Sequence, residues 1–221
     1  MPGGGQRPDR VSRTAETGVT TKKKSFVASE RHESQRRAFR REVAELTVDD
    51  CVFVDEMGLN LDLARGYGRA APGERVVDTK PSTRGKNLSV IGALGADALR
   101  AAMRVPGAVD GDVYRVFTQK VLAPCLHPGN IVFMDNVPTH KMPTIAAALA
   151  AVGARVKFLP PYSPDLSPIE QCWSKGKTFL RSVAARTQKA LAAALSNALS
   201  TITHDDIKGW FAHCGYVYAL N

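Results

Sequence analysis

Apolar residues along this chain gather in short, dense runs separated by turn-forming and charged stretches. CVFVDEMG (51–58) reads as a buried strand, NLSVIGALG (87–95), IVFMDN (131–136) and RVKFLP (155–160) read as further strands, and ALRAAMRVPG (98–107) as one more. GDVYRVFTQKVLAPCL (111–126) differs, because Val113, Val116, Phe117, Val121 and Leu122 recur at helical spacing. KMPTIAAALAAVG (141–153) predicts a second helix, closed by Gly153 at its C-terminal cap. From Ser167 onward the pattern is helical, in three segments that end near Gly215. Ahead of the first strand, residues 28–46 predict a charged helix whose thin apolar stripe is Phe39, Val43 and Leu46. LNLDLARGYGRAAPGERVV (59–77), rich in turn residues, predicts a hairpin-like excursion.

Three strands followed by helix, strand, helix, strand and helix imply an α/β fold. A meander leads into parallel strands covered by helices, so the sheet is mixed and five-stranded. In such sheets ligand sites form beyond the carboxyl ends of the parallel strands. Asp55 and Asp135 end two of those apolar runs, and Glu170 opens the helix after a third. The topology therefore delivers three carboxylates to one edge.

Each acid also has a plainer reading. Asp55 shares a strand face with Cys51 and Phe53 and could be a turn former; Glu56, a competing ligand, points to the opposite face. Asp135 could cap a strand-to-helix turn. Around it, Asn136 and Thr139 can donate hydrogen bonds, and His140 and Lys141 can meet an anionic backbone. Ser167-Pro168-Ile169-Glu170 has the form of a capping box, with Glu170 as its third helical residue. Down that helix, positions 170, 174, 177 and 181 read Glu, Ser, Lys, Arg, opposite a stripe of Ile169, Trp173, Gly176, Leu180 and Val183. Asp62, Asp110 and Asp112 read as turn or cap residues. Together the three acids form the set that holds divalent metal ions against a phosphodiester.

Charge sharpens this picture. The 221 residues carry a formal net charge of +9, of which residues 1–41 hold 11 Lys/Arg against 4 Asp/Glu. Residues 1–24 predict a disordered basic arm and residues 25–50 a charged helical linker. Such an arm is drawn to phosphate backbones by counterion release, although a solvated tail would carry the same composition. Four cysteines without a C-x-x-C pair and five histidines without ligand spacing predict reduced thiols and no zinc site. No apolar stretch approaches the roughly 18 residues of a membrane span, and the polar N-terminus has no signal-peptide core, so an intracellular protein is expected.

VFVDEMG, IVFMDNVPTHK and LPPYSPDLSPIEQCWSKGK resemble the three signature blocks of DDE transposases of the mariner-like superfamily, in its bacterial insertion-sequence branch. The 34 residues between Asp135 and Glu170 agree with its Asp-Asp-Glu variant. The resemblance covers about residues 22–215 and implies a ribonuclease H-like catalytic domain over residues 51–221, with an insertion around 59–77. It further implies Asp55, Asp135 and Glu170 as catalytic ligands of two Mg²⁺ or Mn²⁺ ions. The reaction implied is cleavage at the inverted-repeat ends of an element and strand transfer into target DNA, usually at TA. Arg65, Tyr67 and Arg69 would sit on a clamp-like insertion near DNA or a partner subunit, and Lys177 and Arg181 on a DNA track. Only 54 residues precede Asp55, and none reads as a helix-turn-helix pair, so this resembles the catalytic half alone. A separate helix-turn-helix subunit or an upstream frame would then read the ends, and the chain would work as a homodimer because two ends must meet.

Two other functions suit the same residues: a related nuclease without strand transfer, and a non-catalytic DNA-binding remnant. All three are expected to bind DNA, and the remnant would do so through the basic arm. Affinity measured by fluorescence anisotropy should fall steeply with salt and weaken when residues 1–41 are deleted; an unchanged affinity would reduce the arm to a tail.

Overall fold

Strands buried on both faces need helices on both sides, and the computed structural model, which describes residues 28–217, has that layering. Its five strands are β1 (Cys51–Leu59), β2 (Leu88–Gly95), β3 (Leu99–Pro106), β4 (Ile131–Met134) and β5 (Arg155–Phe158). They lie in the order β3-β2-β1-β4-β5. β1, β2 and β3 form the antiparallel meander, and β4 and β5 join β1 in parallel. Every residue of β2 is buried, Ser89 included. The predicted arm, residues 1–24, lies outside the described residues.

Alternation along β1 feeds two cores. Cys51, Phe53, Met57 and Leu59 enter one, with α1 (Glu33–Ala44), α4 (Pro168–Val183), α5 (Gln188–Ser200) and α6 (His204–His213). Val52 and Val54 enter the other, with α2 (Gly111–Val116) and α3 (Pro143–Ala150). At the centre of the first core Phe53 stacks on Phe133 with ring centroids 4.6 Å apart. Phe211 and Tyr216 meet Phe53 edge-on at 5.4 and 4.9 Å. Burying each such ring contributes about 1.5–3 kcal/mol, and the edge-on geometry adds to it.

Several local expectations change. Residues 60–87 contain no strand, so the excursion is an irregular loop rather than a hairpin. Leu61 N–H donates to Arg84 O at its base. Arg186 donates to the carbonyls of Leu61, Leu63 and Thr79 and ties the loop to the end of α4. The helix expected over 111–126 starts as α2 beneath an Asp110 cap, widens to π-helical turns over Phe117–Leu122 and ends in a 3-10 turn. The helix expected over 141–153 begins with a 3-10 turn, Pro138–Lys141, and α3 stops at Ala150. Gly153 follows at φ +75°, where a Cβ would stand 2.9 Å from Pro128. Val183 is 46 % exposed and drops out of the buried stripe of α4. Cys51, Cys172 and Cys214 are buried and Cys125 is exposed, all as free thiols.

α1 is more than a linker. Phe39 and Val43 are buried as predicted, but so is Arg36, whose guanidinium grips Asp165 through both nitrogens at 3.0 and 2.5 Å. A deletion that tests the arm alone must therefore stop before Glu33. Arg36 is fully buried whereas the Asp165 side chain is 44 % exposed, so the two partners should not be equivalent. Asp165→Ala strands a buried cation, with Glu33 at 3.6 Å as its remaining partner. It should cost about 2–4 kcal/mol in urea denaturation, just under the ~3–5 kcal/mol of a fully buried pair. Arg36→Met should cost less, because the released carboxylate reaches water.

Candidate active site

The parallel seam between β1 and β4 is short. Its last register pair is Phe53↔Phe133, although β1 itself runs on to Leu59 beside β2. Asp55 is therefore not at the end of its strand; it stands where β1 has lost its parallel neighbour. β4 stops at Met134, and Asp135 is the next residue. The two aspartates flank a split in the sheet, the kind of crevice in which α/β sites form.

Glu170 reaches the same crevice from α4. Across β1 from Asp55 the register partner is Gly92, where an added Cβ would lie 2.5 Å from the Trp173 ring. Only glycine lets that buried indole sit on the sheet, and the indole holds the first turn of α4 beside β1. The predicted capping box is absent: Ser167 is buried, its hydroxyl caps nothing, and Glu170 N–H bonds to Ser167 O through the main chain. The Glu170 carboxylate is thus left to the crevice. A true capping box forms instead at Thr203 and Asp206 on α6.

Asp55, Asp135 and Glu170 line one cavity of about 490 Å³, walled by Asn136, Val137, Pro138 and the loop of residues 159–164. That loop is pinned at several points. Asn136 donates through Nδ2 to Leu159 O at 2.6 Å, Tyr216 Oη donates to Leu166 O at 2.9 Å, and Arg36 holds Asp165. At its rim Tyr162 is 58 % exposed and sits at φ +53°, a left-handed backbone that side chains other than glycine seldom adopt.

The acids feel one another. Burial first, and then the Glu170 charge, push the Asp55 carboxyl up to about 7; Glu56 and Asp135 add to this against one backbone hydrogen bond. Burial also raises Glu170, with Asp135 adding and Lys177 opposing. Asp135 goes the other way: burial would raise it, but His140 and then Lys141 hold it below the usual range. His140 is buried between two carboxylates, with Nε2 3.0 Å from Glu56 Oε1 and Nδ1 2.6 Å from Asp135 Oδ1. The second approach is too oblique for a well-formed hydrogen bond and acts as an ion pair. Although burial works against it, the two acids push His140 up to about 9.

The residues expected to meet DNA do not share one surface. Arg65 and Arg181 are exposed and line a single groove of about 1130 Å³ between the 60–87 loop and α4, together with Lys175. Lys177 is half-buried near Glu170, and Lys141 is exposed with its ammonium 5.7 Å from the Phe158 ring. Arg69 is exposed but lies outside the groove. His140 does not face solvent, so the expected contact with an anionic backbone gives way to carboxylate contacts. Asn136, half-buried, commits its amide to the loop. Sequence reasoning missed the link from Glu56 through His140 to Asp135, and Tyr114 beneath it. The only signal for it was the placement of Glu56 on the far face of β1.

The three carboxylates offer hard oxygen donors suited to Mg²⁺ or Mn²⁺, and a divalent cation would relieve the repulsion that adds to burial in raising Asp55. Among the described residues, no three His, Cys, Asp or Glu side chains already stand close enough to hold an ion. His140 draws Asp135 one way while the other acids repel one another. The donor types and the shared cavity fit the ions; the carboxylates are not closed around one.

With this geometry in view, the chain belongs to the DDE superfamily endonucleases, which it matches over residues 50–192. Its fold is ribonuclease H-like. It is similar to the Mos1 transposase in a paired-end complex with the left transposon end, at TM-score 0.74 and 17% identity over 90% of this chain. The chain spans 64% of the length of that protein. It is also similar to the catalytic domain of the Mos1 mariner transposase, at TM-score 0.58 and 15% identity, covering 86% of this chain and 92% of that one. No curated protein matches in sequence. Among the described residues no helix is long and apolar enough to cross a membrane.

The raised Asp55 makes a prediction about stability. Because its folded-state value lies above the ordinary 3.8, folding favours the protonated acid. That stabilisation is complete below pH 4 and is lost as pH rises through about 7, by at most about 4 kcal/mol. Without metal, Asp55→Asn should therefore melt higher than the native chain at pH 8, and the difference should shrink toward pH 4.

Proposed function

We propose that this chain is the catalytic domain of a mariner-like DNA transposase of the bacterial insertion-sequence branch. It would cut the ends of a DNA element and join them to a target. The observation that carries this reading is that three carboxylates from β1, the end of β4 and the start of α4 line one cavity. The signature blocks around them, and the fold shared with DNA-bound Mos1 complexes, support it.

On this reading Asp55, Asp135 and Glu170 hold two Mg²⁺ or Mn²⁺ ions. When bound, such ions lower the pKa of an attacking water or DNA 3′-hydroxyl and stabilise the departing oxygen of an in-line displacement. The remaining work falls to the chain. Leaving the protonated state frees Asp55 to act as a ligand. The pinned 159–167 loop keeps the Glu170 end of the cavity fixed, which preserves the alignment that phosphoryl transfer depends on. Lys177 and Arg181 continue from Glu170 along one face of α4 toward the groove that Arg65 also lines. That basic line suits a DNA strand leaving the cavity, with Lys141 and Arg69 contributing long-range attraction to phosphate. Two copies would act together, since two ends must be joined, and reading of the end sequence would come from a helix-turn-helix region.

Supercoiled plasmid carrying the element ends is the test. With Mg²⁺ or Mn²⁺ the protein should nick and join it, and Asp135→Asn should lower the rate by about three orders of magnitude or more, the scale of losing an essential catalytic group. DNA affinity should stay largely intact. Nicking without joined products would favour a nuclease; equal activity in the variant would remove Asp135 from the site.

A further inference from the structure

Asp55 and Glu56 are neighbours on one strand and point to opposite faces of the sheet. Asp55 faces the cavity with Glu170. Glu56 lies on the side of α2 and α3, where its Oε1 is 3.0 Å from His140 Nε2. His140 comes from the 3-10 turn that follows Asp135, and its other nitrogen is 2.6 Å from Asp135 Oδ1. The imidazole is flanked by Tyr114, a fully buried ring whose centroid is 4.2 Å away at an interplanar angle of 31°. Among the described residues the Tyr114 hydroxyl has no hydrogen-bond partner, and its ring is held by packing.

This arrangement uses one oxygen of Asp135 twice. Oδ1 accepts the Val137 N–H at 3.3 Å and also forms the close ion pair with His140, which leaves Oδ2 for the cavity. An aspartate with a half-exposed side chain would otherwise sample several rotamers, each carrying its oxygens to a different place. Glu56 sets the orientation of the imidazole, and the imidazole sets that of the carboxylate. We propose that Glu56 and His140 are positioning residues that hold Asp135 in the rotamer that presents its free oxygen to a divalent cation, with Tyr114 keeping the imidazole in plane. This rests on the reading of Asp135 as a metal ligand. It assigns Glu56 a part in the site from the opposite face of the sheet. Partners that orient a ligand in this way commonly control roughly 10–100-fold in metal affinity.

Calorimetric titration of the full chain with Mn²⁺, in the absence of DNA, separates positioning from plain electrostatics. Glu56→Ala should raise the Mn²⁺ dissociation constant roughly 10–100-fold, and Glu56→Gln, which keeps an acceptor oxygen but no charge, should recover much of that loss. Equal losses in the two variants would make the effect one of charge alone and overturn the proposal. His140→Phe keeps the ring against Tyr114 but removes both nitrogens. A ring that merely competed with the metal as a cation would bind Mn²⁺ more tightly once lost, whereas positioning requires weaker binding. Tighter or unchanged binding in His140→Phe overturns the proposal, and this variant decides the matter should Glu56→Ala fail to fold. Glu42→Gln, which breaks the exposed pair with Lys157, should leave the titration unchanged. Should Asp135→Asn bind Mn²⁺ as the native chain does, the metal reading fails together with the positioning role. Should only the Glu56 and His140 variants bind as the native chain does, the positioning role alone fails.

Discussion

The stack of Phe53 on Phe133 marks the last register pair of the parallel seam between β1 and β4, and the site depends on the pairing ending there. Up to that pair the backbone groups of the two strands are joined and their rings fill the core. Beyond it β1 continues with β2 alone, β4 ends, and the sheet opens into a crevice flanked by Asp55 and Asp135. A seam two residues longer would pair the backbone at Asp55 with that of Asp135 and close the space between them. The aromatic cluster of Phe39, Phe133, Phe211 and Tyr216 therefore holds the mouth of the cavity as well as the core.

Glu170 is held to that mouth by constraints from distant parts of the chain. Trp173 rests on the bare backbone of Gly92, Arg36 of α1 clamps Asp165, and Tyr216 near the C-terminal end of the described residues bonds Leu166. The segment that precedes Glu170 is thus fastened by residues from both ends of the described chain, packed on one face of the sheet. Such fastening is needed because the acids oppose their own proximity. Asp55 is pushed up to about 7 by burial and by its neighbours, so the folded state bears a local cost at the place where the chemistry would occur. The His140 bridge relieves part of it for Asp135, and it does so from the opposite face of the sheet.

The strands, their parallel and antiparallel sense and the gathering of the three acids were legible in the sequence, because dense β-branched and aromatic runs have few alternatives and acids within or just after them stand out. The irregular loop over residues 60–87 was not, since its turn residues suit a hairpin equally well and the contacts that hold it include Arg186, more than a hundred positions away in sequence. The capping-box pattern at Ser167 was present in the sequence and absent in space. Tertiary packing buries Ser167 and leaves its hydroxyl out of the cap, and a local motif carries no information about that. Arg36 read as one more charge on a polar helix, because its partner lies 129 residues away.

By itself, then, the sequence determined the order of elements, the two faces of β1 and the identity of the acids, since periodicity and residue type are local properties. Tertiary structure alone decided how far β1 and β4 stay paired, which oxygen of Asp135 is free, and that His140 turns inward to Glu56 rather than outward to solvent. Those outcomes depend on distances between residues far apart in the chain. They are set by which buried charges must be matched once the cores have closed.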